Sequence, residues 1–106
     1  MARTIKWTES ATSDLEEVAE FIARDSRFYA SVVVREARKA ARSLGVSAER
    51  GRIVPERNSS DIRELFLWSY RLIYKVTFHH VYILAFIHGA RDLESLWKRR
   101  GIEAIT

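Results

Sequence analysis

The sequence predicts a single α+β domain over residues 1–106, built as an N-terminal strand, a helical hairpin, a three-stranded antiparallel meander and a short C-terminal helix. Three observations predict it. Residues 11–22 and 30–44 repeat apolar side chains at spacings of three and four, the period of a helix buried along one side. Residues 61–67, 70–78 and 81–87 are rich in β-branched and aromatic residues and are separated by two-residue breaks. One proline and four glycines leave no linker, and a chain of 106 residues closes one core but not two.

The elements follow in order. Arg3, Thr4, Ile5, Lys6 and Trp7 alternate as a first strand, after which Thr8 or Ser10 can cap a helix that opens with Glu9. Acid at that end suits the helix dipole. Ala11, Leu15, Val18 and Ile22 form its buried stripe, and Glu16, Glu17 and Glu20 lie away from it. Asp25 and Ser26 supply a break and a second cap. Ala30, Val33, Ala37, Ala41 and Leu44 then carry helical spacing to Gly45, a candidate C′ residue. Three valines at 32–34 favour a strand locally, but the alanines and arginines after them favour helix. Residues 46–60 hold the proline and Asn58-Ser59-Ser60, which marks a surface connection.

In the meander, Tyr70, Leu72, Tyr74, Val76 and Phe78 share one face of a strand and Arg71, Ile73, Lys75 and Thr77 the other. Val81 to Ile87 is apolar on both faces, as in a central strand. Asp92 can cap a last helix with Leu93, Leu96 and Trp97 on its apolar side. Two helices on one sheet face bury both amphipathic stripes and leave the other face for solvent or a partner. Trp7, Phe21 and Phe28 are expected in the core.

Composition narrows the chemistry. With no cysteine there is no disulfide, thiol nucleophile or thiolate metal site, and histidines at 79, 80 and 88 are poorly spaced for a metal. No cofactor is expected. No apolar stretch approaches the roughly 20 residues of a membrane helix and no secretory leader is visible, so a cytoplasmic protein is expected. Net charge is +4, but residues 1–26 sum to −3 and residues 27–63 to +5. Fourteen of the 18 cations are arginine, whose planar fork binds carboxylate and phosphate bidentately. An acidic partner fits that pattern, and so does a charge that only keeps a small domain soluble. The basic row Arg35, Arg38, Lys39 and Arg42 is open to the same two readings, a solvated helix face or a binding surface.

The element order, with Trp7-Thr8, the Asp14-Leu15 helix, Gly51-Arg52-Ile53-Val54-Pro55-Glu56, Arg63-Glu64-Leu65, Tyr70-Arg71-Leu72-Ile73-Tyr74 and His88-Gly89-Ala90-Arg91, resembles the RelE/ParE superfamily of bacterial toxins. The match spans roughly residues 5–97, and the Pro-Glu loop and Arg-Glu-Leu strand resemble the ParE branch most. The resemblance implies the toxin of a type II, plasmid-stabilising toxin–antitoxin module, held inactive by a ParD-like antitoxin whose acidic C-terminal segment wraps the hairpin and sheet. Arg35, Arg38, Arg42 and Arg52 are the candidate contacts to it. ParE-like members inhibit DNA gyrase by binding it and are not hydrolases; RelE-like members cut messenger RNA in the ribosome.

Cutting RNA at the neighbouring 2′-hydroxyl needs a base, an acid and fixed positive charge on the phosphorane. Arg71 and Arg91 fall where RelE-like nucleases keep two arginines. The paired lysines of those nucleases fall opposite Ile62 and Glu64, and Trp97 stands at their C-terminal tyrosine. An indole can stack on a base but does not exchange its proton. Glu64 as base and His88 as acid are the remaining set, against structural roles as an ion-pair partner of a neighbouring arginine and as a backbone ligand. Arg71 is likewise open to a cross-strand charge pair. The favoured expectation is gyrase binding, with no catalytic residue and with Arg63, Arg71, Lys75, Arg91 and Trp97 as target contacts on an open, arginine-lined sheet face beside Trp68. The alternative is a ribosome-dependent endoribonuclease using Glu64, Arg71, His88 and Arg91.

Overall fold

A computed structural model describes residues 2–101. The chain runs β1 (Thr4–Trp7), α1 (Glu9–Ala23), α2 (Arg27–Ser43), a single 3-10 turn (Ala48–Arg50), β2 (Arg52–Ile53), β3 (Ile62–Leu67), β4 (Tyr70–Val76), β5 (His80–His88) and α3 (Leu93–Arg100). Each helix starts on a side-chain cap: the Thr8 hydroxyl accepts from Ala11 N–H, Ser26 from Tyr29 N–H and Asp92 from Ser95 N–H. These satisfy amide donors that no helical carbonyl can reach.

The strands form one sheet in the order β1-β5-β4-β3-β2. β1 pairs parallel with β5, a pairing that a long intervening connection permits, and the remaining pairs are antiparallel. The meander is as expected, but the connection after α2 contributes a short edge strand that its sequence does not announce. Arg52 and Ile53 pair with Glu64 and Arg63, and two residues carry too little alternation to be read.

Ala11, Leu15, Val33, Ala37 and Ala41 of the hairpin pack against Leu65, Leu72, Tyr74, Ile83 and Phe86 of the sheet. Between the pairs Ile73/Ala85 and Tyr74/Ile83, β5 inserts Leu84 as an extra residue. This bulge turns Ile83 and Phe86 to the same side although they are three apart, which two-residue alternation alone forbids.

The second sheet face is not left open. Leu93, Leu96 and Trp97 of α3 close over Val54, Ile62, Ile73, Leu84, Ala85 and Ile87, each large side chain contributing about 1.5–3 kcal/mol by leaving water. Phe21 and Phe28, expected in the core, are 63% and 68% exposed at the tip of the helical hairpin, while Trp7 is half-buried. Gly45 does not take the left-handed conformation expected of a C′ residue; among described residues the glycine that does is Gly101. Gly45 is needed for space instead, since a Cβ there would sit 3.1 Å from the Arg3 carbonyl oxygen.

Candidate functional site

The strand alternation that turns Arg71 and Glu64 away from the helices delivers them beneath α3 and the 54–61 loop. Arg71 is 4% exposed and Glu64 1%. Arg71 Nε donates to Glu64 Oε1 at 2.5 Å, and its two terminal nitrogens donate to both oxygens of Glu56 at 3.0 and 2.9 Å. The second Glu64 oxygen accepts from Arg52 Nε at 2.7 Å. Both oxygens of Glu64 and the fork of Arg71 are therefore engaged within the chain. The Arg71 guanidinium, bonded first of all by Glu56, holds that carboxyl below its ordinary range.

These positions correct the expectation of an exposed cation row. Arg71 is an internal ion-pair partner, and Trp97, 3% exposed, is a core residue under the Arg57 guanidinium, which lies 4.8 Å from the centroid of its ring. Arg63 is half-buried and donates to the Ser60 and Gly51 carbonyls at 3.0 and 2.9 Å. Lys75 is half-buried, in register with Ile62 and Tyr82. Arg91 alone of the five is fully exposed and, among the described residues, makes no ion pair. It lines a shallow hollow of about 270 Å³ with Glu17, Phe21, Tyr70 and His88, on the α1 side of the sheet.

The nuclease quartet is accordingly not assembled. Glu64 and Arg71 sit buried on the α3 side, whereas His88 at the end of β5 and Arg91 in the loop after it are exposed and border the α1-side hollow. His88 Nδ1 accepts from the Ala90 amide at 3.1 Å, a backbone role. A base that is already bonded to two guanidiniums and closed to solvent has no path to a 2′-hydroxyl.

A second basic region lies across the helical hairpin. Ala19, Ala23, Ala30 and Val34 floor a groove of about 660 Å³ rimmed by Glu20, Arg27, Arg35, Arg38 and Arg42. Arg38 and Arg42 also border an adjoining hollow of about 470 Å³, which reaches Ile5 and Trp7 at the β1 edge of the sheet. Arg35, Arg38 and Arg42 thus lie together along one groove. Arg52 does not join them: it lies on β2 at the opposite edge, held by Glu64 and stacked 4.7 Å from the Phe66 ring centroid.

The helical hairpin and five-stranded sheet match a known fold. The family described as the ParE toxin of the type II toxin–antitoxin system, parDE, matches residues 5–93. The chain belongs to this family. Among solved structures, the chromosomal ParDE toxin–antitoxin system from P. aeruginosa is similar in fold, with a TM-score of 0.68 at 21% identity over 82% of this chain and 96% of that one. No curated protein matches.

Three groups that hold this ParE fold together escaped the sequence reading. Asp14, 4% exposed, accepts from both terminal nitrogens of Arg100 at 2.9 and 2.6 Å and from the Phe86 amide at 3.0 Å, tying α1 to α3. Its signal was present, because 14 falls three after Ala11 on the buried stripe. Glu56 had only its neighbour Pro55 to mark it. Tyr74 Oη accepts from Gly51 N–H at 3.0 Å and donates to the Ala48 carbonyl at 2.7 Å, a pairing that spans more than twenty residues and has no local signature.

Proposed function

We propose that this ParE-family toxin acts by binding DNA gyrase and not by cutting RNA, and that an acidic C-terminal segment of a cognate antitoxin neutralises it. The observation that carries the first half is the burial of the Glu64–Arg71 pair. Glu64 is buried and bonded to Arg71 and Arg52, so it offers no accessible base, and Arg71, buried between Glu64 and Glu56, offers no free positive charge for a phosphorane. The groove supports the second half. Its alanine and valine floor fits the apolar stripe of a helix, and Arg35, Arg38 and Arg42 along its rim fit carboxylates on that helix. A segment that orders only on binding suits such a surface, since it buries a large area for one partner. A cytoplasmic location goes with both partners; among the described residues no helix is long and apolar enough to cross a membrane.

Supercoiling by purified gyrase tests the reading. Added toxin is expected to inhibit supercoiling and trap cleaved DNA, and stoichiometric antitoxin is expected to restore the reaction. Full supercoiling at saturating toxin rejects it. Cuts in ribosomal A-site codons that vanish in Arg91→Ala would establish the nuclease alternative instead.

A further inference from the structure

We infer that the β3–β4 turn, led by Trp68, is the surface through which this toxin grips its protein target, an acidic, groove-bearing partner; the inference rests on the gyrase reading above. Trp68 is the first of two residues joining Leu67 to Tyr70, and its side chain is 62% exposed. Its φ is +53°, and Ser69 is not among the residues of positive φ. A positive φ confined to the first central residue is the pattern of a type II′ hairpin turn, in which glycine is the usual occupant because a Cβ is strained there. The largest side chain therefore stands where the fold favours the smallest, and most of its surface faces solvent. Strain of this kind marks a function outside the folded chain.

The surroundings say what it would meet. Gly89 N–H donates to the Ser69 carbonyl at 2.8 Å, so the turn is fixed beside the exposed His88 that ends β5 and the loop that carries the exposed Arg91. On the neighbouring strand Phe66 is exposed, with the Arg52 guanidinium stacked on its ring and held from behind by Glu64. Exposed tryptophan, phenylalanine and arginine, already fixed in place, are the residue types that dominate protein interfaces. The carboxylates nearby are largely committed: Glu64 to two arginines, Glu56 to Arg71 and Asp92 to the α3 cap, leaving Glu17 along the hollow. With Arg52 already paired to Glu64, the exposed Arg91, with the chain's net charge of +4, calls for an acidic partner. The β3–β4 turn and the end of β5 at His88 lie beyond the stretch His80–Ile83 that pairs with β1, whereas the hairpin groove reaches Ile5 and Trp7 of β1, so antitoxin capture and target capture use different surfaces.

Trp68→Gly separates function from folding, because it relieves the strained turn while removing the anchor. The variant is expected to melt no lower than the parent chain and to bind antitoxin equally. It is also expected to need about tenfold more protein, or more, for half-inhibition of gyrase. Phe66→Ala is expected to weaken inhibition in the same direction without the gain in stability. Parental inhibition by Trp68→Gly, with wild-type toxin active on gyrase, overturns the inference and leaves the reading standing. If wild-type toxin ignores gyrase yet arrests growth, the reading fails, and growth arrest by Trp68→Gly then decides the surface: loss supports it and full arrest overturns it. A wild-type chain that does neither overturns both.

Discussion

Arg71 and Glu64 meet at 2.5 Å beneath α3, with Glu56 closing the other side of the guanidinium. Burial makes this pair costly to break from one side, although Glu56 also bonds Arg71 and Arg52 also bonds Glu64. Removing one partner is expected to be worse than removing both. Arg71→Ala should cost about 3–5 kcal/mol in urea unfolding, whereas Glu64→Leu combined with Arg71→Met should recover much of that loss. A double variant no more stable than Arg71→Ala would mean that the network, not the pair, is the unit. Loss of toxicity in Arg71→Ala would then report folding, which the double variant separates from chemistry.

Glu56 makes the same network pH-dependent. The Arg71 hydrogen bonds hold its carboxyl below its ordinary value of 4.5 in the folded chain. A depressed carboxyl pKa adds stability that is present above the unfolded value and is lost as pH falls through the folded one. Stability should therefore decline below about pH 4.5, where the unfolded chain begins to take up the proton first. Glu56→Gln should be less stable at neutral pH and show a shallower acid limb, measured as melting temperature between pH 2 and 7. Parallel acid limbs for the two proteins would assign the decline to other carboxyls.

Tyr74 and Gly51 predict the response at high pH and the most sterically intolerant glycine. Burial raises the Tyr74 phenol above its ordinary 10.0, so its contribution is complete below that value and is lost as pH climbs through the folded one. Tyr74→Phe leaves the Gly51 amide and Ala48 carbonyl without their partner and should cost about 1–3 kcal/mol at neutral pH while flattening the alkaline limb. A Cβ on Gly51 would lie 2.4 Å from the Tyr74 oxygen and 2.6 Å from the Glu64 carbonyl oxygen. Gly51→Ala should therefore destabilise by about 1–3 kcal/mol or more, read from the same melts, and a neutral effect would show that the 3-10 turn can move aside.

The hairpin, the meander, the two caps at Ser26 and Asp92 and the α3 stripe were legible, because each is written within one helical turn or one alternating strand. What failed did so across distance. Arg71 and Lys75 share a strand face, as alternation requires, yet alternation does not say whether that face meets water. The cover comes from Trp97 and Glu56, which lie far along the chain. Trp97 was taken for an exposed stacking residue on the strength of a position it shares with nuclease tyrosines. Phe21 and Phe28 failed in the other direction: aromatic composition suggested a core, but both lie off the 11–22 and 30–44 stripes. The hairpin arginines were readable as a row. That Arg52 lies apart from them depends on a two-residue strand.

That row yields the last prediction. Arg38 and Arg42 border both parts of the hairpin groove and are exposed, so each contributes to an acidic helix mainly through screened, long-range attraction. Exposed charges of this kind govern association rate and salt dependence more than contact energy. Binding of a cognate antitoxin should weaken steadily from low to high salt. Arg38→Glu with Arg42→Glu should weaken it by about tenfold at low salt and flatten the salt dependence, since the attraction that salt screens is already gone. Val34→Asp, on the apolar floor, should weaken binding at every salt concentration and keep the slope. An affinity indifferent to salt in the parent toxin would assign recognition to that floor and leave the arginines as a solvated rim.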